Sequence, residues 1–189
     1  MQIVRIFSDD TQIFAPKFAY NHPPCRKSSK RRSRVSLDAF DIRILRAIQR
    51  AGDLTHAQLA EQVHLSASQC ARRLERLRQS GYIDRTVTLL NRERLGLAVL
   101  AHVLVSLREH QGAQNQAFRQ FVIDAPEVLE CYMQSGDIDL ILKVAVRDLE
   151  GLGDFIDRLI AVTGGLAALR SCIVLRSIKT ANELVVSSD

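Results

Sequence analysis

No apolar run in the 189 residues approaches the ~18 needed to cross a bilayer as a helix. The opening stretch MQIVRIFSDD lacks both the basic n-region and the unbroken apolar h-region of a secretory signal, so the expected location is cytoplasmic. Cysteine is sparse. Cys25, Cys70, Cys131 and Cys172 form no C-x-x-C pair and have no histidine at ligand spacing nearby, which argues against a metal site and a disulfide framework and leaves free thiols. Proline is scarce outside the N-terminus, because three of the four prolines fall in residues 1–36. Positive charge is unevenly spread as well. Residues 1–36 carry eight Lys/Arg against two Asp/Glu, residues 37–90 eight against six, and residues 91–189 ten against thirteen. A polyanionic partner therefore meets the first half of the chain.

The stretch CRKSSKRRSRVS places six basic residues between Arg26 and Arg34 and closes a segment that reads as a flexible basic tail, residues 1–36. Such a tail either adds sequence-blind affinity for DNA phosphates or is a solvated linker or the product of an upstream start codon. From Leu37 the pattern becomes helical. Phe40, Ile44, Leu45 and Ile48 recur at three- and four-residue spacing after Asp38, an N-cap residue, and Gly52 ends the run. Thr55 with Gln58 and Ser66 with Gln69 are two capping-box signatures, each opening a further short helix, and Gly81 closes the third. Three capped helices with tight connections over residues 37–90 make a helix-turn-helix unit of winged-helix-like type.

Beyond Gly81 the period shortens towards two. Residues 82–90 read as a short strand and turn, 97–107 (LAVLAHVLVSL) as a long buried strand, 115–125 as a helix followed by Pro126, and 128–134 with 139–146 as two strands joined at SGDI. Asp148 caps another helix that closes at Gly164 and Gly165, and residues 169–178 alternate as a last strand. The fold class is α+β: residues 91–189 follow the βαββαβ order of a ferredoxin-like domain, whose sheet carries both helices on one face and needs its other face covered.

The third helix carries the functional signal. At 100° per residue, Ala67, Cys70, Leu74 and Leu77 share one sector, while Ser68, Gln69, Arg72, Arg76 and Gln79 share the opposite one and Arg73 lies on the flank. A charged helix face is ordinarily only solvated. As the third helix of a helix-turn-helix with net charge +3 from Ser66 to Ser80, this one fits the DNA major groove. Ser68, Gln69 and Arg72 are expected at base edges and Arg73 and Arg76 at phosphates, with the cap residue Ser66 also counted in the DNA-binding surface. Gln69 cannot serve both the capping box with Ser66 and a bidentate contact to adenine, which leaves Arg72 as the principal reader. The reading requires the guanidinium-rich side to lie free of its own fold.

LDAFDIRIL (37–45), LAEQVHLSASQCARRLERLRQSGYI (59–83) and SGDIDLILKV (135–144) resemble the leucine-responsive/asparagine-regulator (Lrp/AsnC) family of transcription factors, over residues 37 to about 186. The resemblance implies a DNA-binding domain, a linker strand and a ferredoxin-like ligand-sensing domain whose sheet pairs face to face with a second copy. It implies homodimers assembling further, commonly to octamers, and an amino acid bound between dimers near Ser135, Gly136, Asp137 and Asp139. A Gly-Asp hairpin turn would also demand those residues without any ligand. Three positions depart from the family pattern: His64 stands where glycine is usual, Ala67 where proline is frequent, and Arg92 after Asn91 where proline is common.

The function expected is that of a one-component transcriptional regulator of double-stranded DNA, responding to a small metabolite that binds one oligomeric arrangement better than another. Two other readings stay open. One is an enzyme resembling siroheme decarboxylases, favoured by His102 and His110, although no nucleophile or acid-base constellation stands out and neither catalytic residues nor a cofactor is assigned. The other is a ligand-insensitive architectural DNA-binding protein.

Overall fold

The computed structural model describes residues 36–108, 113–163, 166–181 and 183–187. The expectations for the tail through residue 35, for Cys25, for His110 and for the Gly164-Gly165 helix stop lie outside them.

Helix α1 (Ala39–Arg50) begins where Asp38 turns its carboxylate to the backbone N–H groups of Phe40 and Asp41, both at 2.9 Å. Asp41 returns the favour to the Asp38 N–H at 3.2 Å, which completes a capping box. The helix stops at Ala51, in extended conformation, one residue before the expected Gly52. Helix α2 (His56–Val63) starts at the Thr55–Gln58 box and ends on His64, whose φ of 56° and ψ of 51° are left-handed. That conformation crowds a Cβ against the following carbonyl and costs an L-residue about 1–2 kcal/mol. Glycine would be free of the clash but loses more backbone entropy on folding. His64→Gly is accordingly expected to stabilise the chain by about 0.5–1 kcal/mol in urea unfolding, and a loss of stability would show that the imidazole makes a compensating contact.

Helix α3 (Ala67–Gln79) opens on the Ser66–Gln69 box and closes at Gly81, φ 78°, where the Gly81 N–H donates to Arg78 O and the Tyr82 N–H to Leu77 O, both at 3.0 Å. This is a Schellman closure, and it consumes carbonyls that would otherwise be orphaned. The three helices meet through Ile44, Leu45, Leu59, Ala60, Val63, Cys70, Leu74 and Leu77, all buried. Ala67, expected in the apolar sector of α3, is exposed at the first helical position. No described helix is long and apolar enough to cross a membrane.

The second core belongs to a four-stranded antiparallel sheet of β1 (Val99–Ser106), β2 (Val128–Met133), β3 (Leu140–Val146) and β4 (Ala168–Ile173), ordered β2-β3-β1-β4. Helices α4 (Ala113–Asp124) and α5 (Leu149–Thr163) complete the βαββαβ order. Period-two alternation puts Val103, Val105, Leu142 and Val144 on one face, where they bury against Phe118, Phe155 and Leu159. The opposite face carries His102, Leu104, Ile141 and Lys143, and no described element covers it. On that face Lys143 Nζ donates to Glu130 Oε1 at 3.0 Å and the Tyr132 hydroxyl to Glu130 Oε2 at 3.2 Å.

Two strand expectations are corrected. Residues 82–90 join no ladder, and Val87, Leu89 and Leu90 are exposed, because a strand needs a neighbour and the described chain offers none. The last strand stops at Ile173, five residues short. The ladder ends with Ile173 opposite Ala101 although β1 reaches back to Val99, and past it only the Val174 N–H bonds to β1, at Leu100 O, 2.8 Å.

Candidate nucleic-acid interface and effector turn

Burial of Cys70, Leu74 and Leu77 fixes the rotation of α3 and turns Ser68, Gln69, Arg72, Arg76 and Gln79 outward. At the N-terminus, Ser66 Oγ accepts from the Gln69 N–H and the Gln69 side-chain carbonyl accepts from the Ser66 N–H, both at 3.3 Å, while Ser66 Oγ and Ser68 Oγ lie 3.1 Å apart. The conflict over Gln69 eases here. Its carbonyl accepts the cap bond with one of its two lone pairs and its amide NH2 is available to donate to a base acceptor, so an adenine contact through the oxygen must share it with the Ser66 N–H.

The arginines divide. Arg72 is exposed and has no ion pair among the described residues. Arg73 folds back onto α1, its Nη1 donating to Asp38 Oδ2 at 2.6 Å and to Asp41 Oδ1 at 2.9 Å, with the guanidinium 5.4 Å from the centre of the Phe40 ring. Arg76 donates through Nη2 to the other oxygen of Asp41. Arg73, expected at a phosphate, has a side chain that is only 21 % exposed and engaged by two carboxylates. Arg76 is shared. It is ion-paired, yet its side chain keeps 45 % of its surface in solvent.

Asp41 is what sequence reasoning missed. It is completely buried, and its two oxygens are divided between Arg73, Arg76 and the Asp38 N–H. The only trace in the sequence is an acid in the first turn of one helix and two arginines three apart on another, which does not by itself say that they meet. Burial pushes the Asp38 carboxyl up, but hydrogen bonds from the Asp41 and Phe40 N–H groups and from Arg73 outweigh it and hold Asp38 below its ordinary value. Protonating Asp38 is therefore harder in the folded chain than in the unfolded one. Its contribution to stability is present above the ordinary aspartate range and is lost as pH falls through the lowered folded value.

The second candidate region is the β2–β3 turn. Ser135, Gly136 and Asp137 are exposed there. Gly136 has φ 136°, a backbone region that side chains rarely adopt, and a Cβ built on it would meet nothing within 4 Å. Conformation, not close packing, demands this glycine. Asp139 is tied in. Its Oδ2 accepts from the Leu107 N–H at 2.7 Å, its own N–H donates to Val105 O at 3.1 Å, and its carbonyl accepts from the Gln134 N–H at 2.8 Å. The Ser106 hydroxyl donates to Asp137 O at 3.0 Å, so the end of β1 and the turn are bound together. Of the two aspartates, Asp139 locks the hairpin and Asp137 is the one left at the surface.

Comparison with known proteins follows the same division. Residues 37–84 match the family model described as winged helix-turn-helix DNA-binding, and residues 100–184 that of the Lrp/AsnC ligand binding domain. The Bkd operon transcriptional regulator of Pseudomonas aeruginosa is 35 % identical over 144 residues, covering 76 % of this chain and 94 % of that protein. The leucine-responsive regulatory protein of Rhizobium meliloti is 33 % identical over 153 residues, covering 81 % and 98 %. The structure of a Neisseria meningitidis transcriptional regulator in complex with L-Met matches with a TM-score of 0.75 at 34 % identity, covering 79 % of this chain and 97 % of that one. A winged helix-turn-helix with an exposed Arg72 face, followed by a βαββαβ ligand-binding domain, places the chain in the Lrp/AsnC family of transcriptional regulators.

Proposed function

We propose that this regulator reads DNA through the outer face of α3, with Arg72 at a base edge, Ser68 and the free amide of Gln69 beside it, Ser66 orienting the cap, and Arg76 on a phosphate. The proposed division of labour is a DNA-reading domain over residues 37–90 and an effector and assembly domain over 91–189. The observation that carries the reading is the outward guanidinium of Arg72, flanked by two arginines that are already partnered within the fold. A guanidinium with no internal partner is available for bidentate contact to guanine O6 and N7. Arg76, buttressed by Asp41, is held in place for a phosphate without searching rotamers.

Arg72→Ala is expected to cost about 1–3 kcal/mol at the cognate site and to relax preference at one or two base pairs, whereas Arg76→Ala weakens all duplexes alike and flattens the salt dependence. The measurement is a mobility-shift titration on the DNA upstream of the protein's own gene at two salt concentrations. Equal and sequence-independent losses for both variants would remove Arg72 from base readout.

The proposed effector is an amino acid, in line with the L-Met bound by the Neisseria relative, received at the exposed turn Ser135–Asp137. There the Asp137 carboxylate is available for an α-ammonium group. Asp139 takes part by holding the turn against β1 rather than by meeting the ligand. The uncovered sheet face and the exposed apolar residues Val87, Leu89 and Leu90 support association of at least two copies. A dimer would present two α3 helices to a pseudo-palindromic site with half-sites one or more helical turns apart. Running the same titration with a panel of amino acids separates this reading from an architectural one, because a ligand-insensitive coat gives one curve throughout.

A further inference from the structure

The flank of α1 formed by Arg46, Gln49 and Arg50 sits at three- and four-residue spacing and makes one row on the helix surface. All three residues bind the same distant piece of chain. Gln49 Oε1 accepts from the Leu184 N–H at 2.7 Å while Gln49 Nε2 donates to Leu184 O at 3.2 Å, so one side-chain amide closes on both polar groups of one backbone residue. A neighbouring strand would make that same pair of bonds. Arg46 Nη2 donates to Val186 O at 2.7 Å, and Arg50 Nε meets Glu183 Oε2 at 3.4 Å. The side chain of Val186 packs against the helical core formed by α1, α2 and α3, whereas Leu184 and Val185 point to solvent.

Backbone groups read at two positions, an acidic side chain at one end and an apolar one at the other are the elements of extended-peptide recognition. Arginines Arg43, Arg46 and Arg50 line a groove along the same side of α1, where they supply the positive field that suits Glu183. We propose that this face of α1 is a recognition site for an extended peptide with an acid at its first position and valine at its fourth. Its occupant is the segment Glu183–Val186 of the same chain. The segment continues from the end of β4, so its docking anchors the helix-turn-helix to the effector domain at a second point besides the linker. A change in the sheet domain then reaches α3 through α1, a consequence that rests on the regulator reading above.

The docking is tested without DNA, by hydrogen exchange in the full chain. The Leu184 amide is expected to exchange at least about tenfold more slowly than in a free peptide of residues 182–189. Gln49→Ala and Val186→Asp should each return it to the peptide rate while the amides of β1 and β3 stay slow, and Val185→Asp, at an exposed side chain, should change nothing. A free-peptide rate in the unaltered chain, or protection indifferent to Gln49→Ala, overturns the site. Protection that falls on dilution identifies the segment of a second copy and overturns the same-chain occupant. The coupling is tested separately: Gln49→Ala should shift affinity for the upstream DNA by about 2- to 30-fold. An unchanged affinity with Leu184 protection lost overturns the coupling and leaves the docking intact.

Discussion

Alanine at both Arg73 and Arg76 is expected to destabilise the helix-turn-helix by about 3–5 kcal/mol, the usual cost of stranding one member of a buried ion pair. Asp41 has no exposed surface, and without the two guanidiniums its carboxylate keeps only the Asp38 N–H. The reverse deletion should be milder. In Asp41→Ala the side chains of Arg73 and Arg76, 21 % and 45 % exposed, can turn outward into water, so roughly half that loss is expected. Urea unfolding of the three proteins at neutral pH gives the order. If Asp41→Ala proves the more damaging, its role in the α1 capping box outweighs its ion pairs. Acid should narrow the gap between the parent chain and the double variant, because the Asp38 carboxyl that also holds Arg73 is neutralised as pH falls through its lowered value.

Phe155→Ala should cost about 3–5 kcal/mol in the sheet domain, from lost transfer energy and from the cavity left behind. Phe155 is fully buried beneath the sheet, its ring centre 5.8 Å from that of Phe121. Arg158 spans the two rings from outside, 5.8 and 5.9 Å from their centres, and is ion-paired to Glu127. That layer cannot easily follow α5 inward to fill a hole. Because the helices and the sheet have separate cores, the loss should register in the exchange of the β1 and β3 amides and leave those of α2 largely protected. A cost below about 1.5 kcal/mol would mean that α5 collapses onto the sheet after all.

Features set by short-range chemistry were legible from the residues. The caps at Asp38, Thr55 and Ser66 and the stop at Gly81 follow from side-chain type at fixed spacing, and each one stands in the structure. The outward placement of Arg72 followed from the wheel, since Cys70, Leu74 and Leu77 leave only one side for solvent. The wheel also put Arg73 on the flank, but a direction does not name what waits there. Asp41 was invisible for the same reason: its partners lie more than thirty residues away, and a buried acid looks like any surface acid until they are placed. Residues 82–90 have a strand's composition without a strand's neighbour. The contacts of residues 183–186 with α1 leave no local pattern at all, because the reader, Gln49, and the read backbone of Leu184 are 135 positions apart.

The seat of Val186 beside the helical core also orders events at the ribosome. Helices α1 to α3 emerge early, but the last apolar piece against them is synthesised only after more than half of the chain has followed. At about 5–20 residues per second the newborn helical unit waits on the order of 5–20 s with that seat empty. A nonsense codon just ahead of Glu183 would thus be felt by helices translated more than a hundred residues earlier.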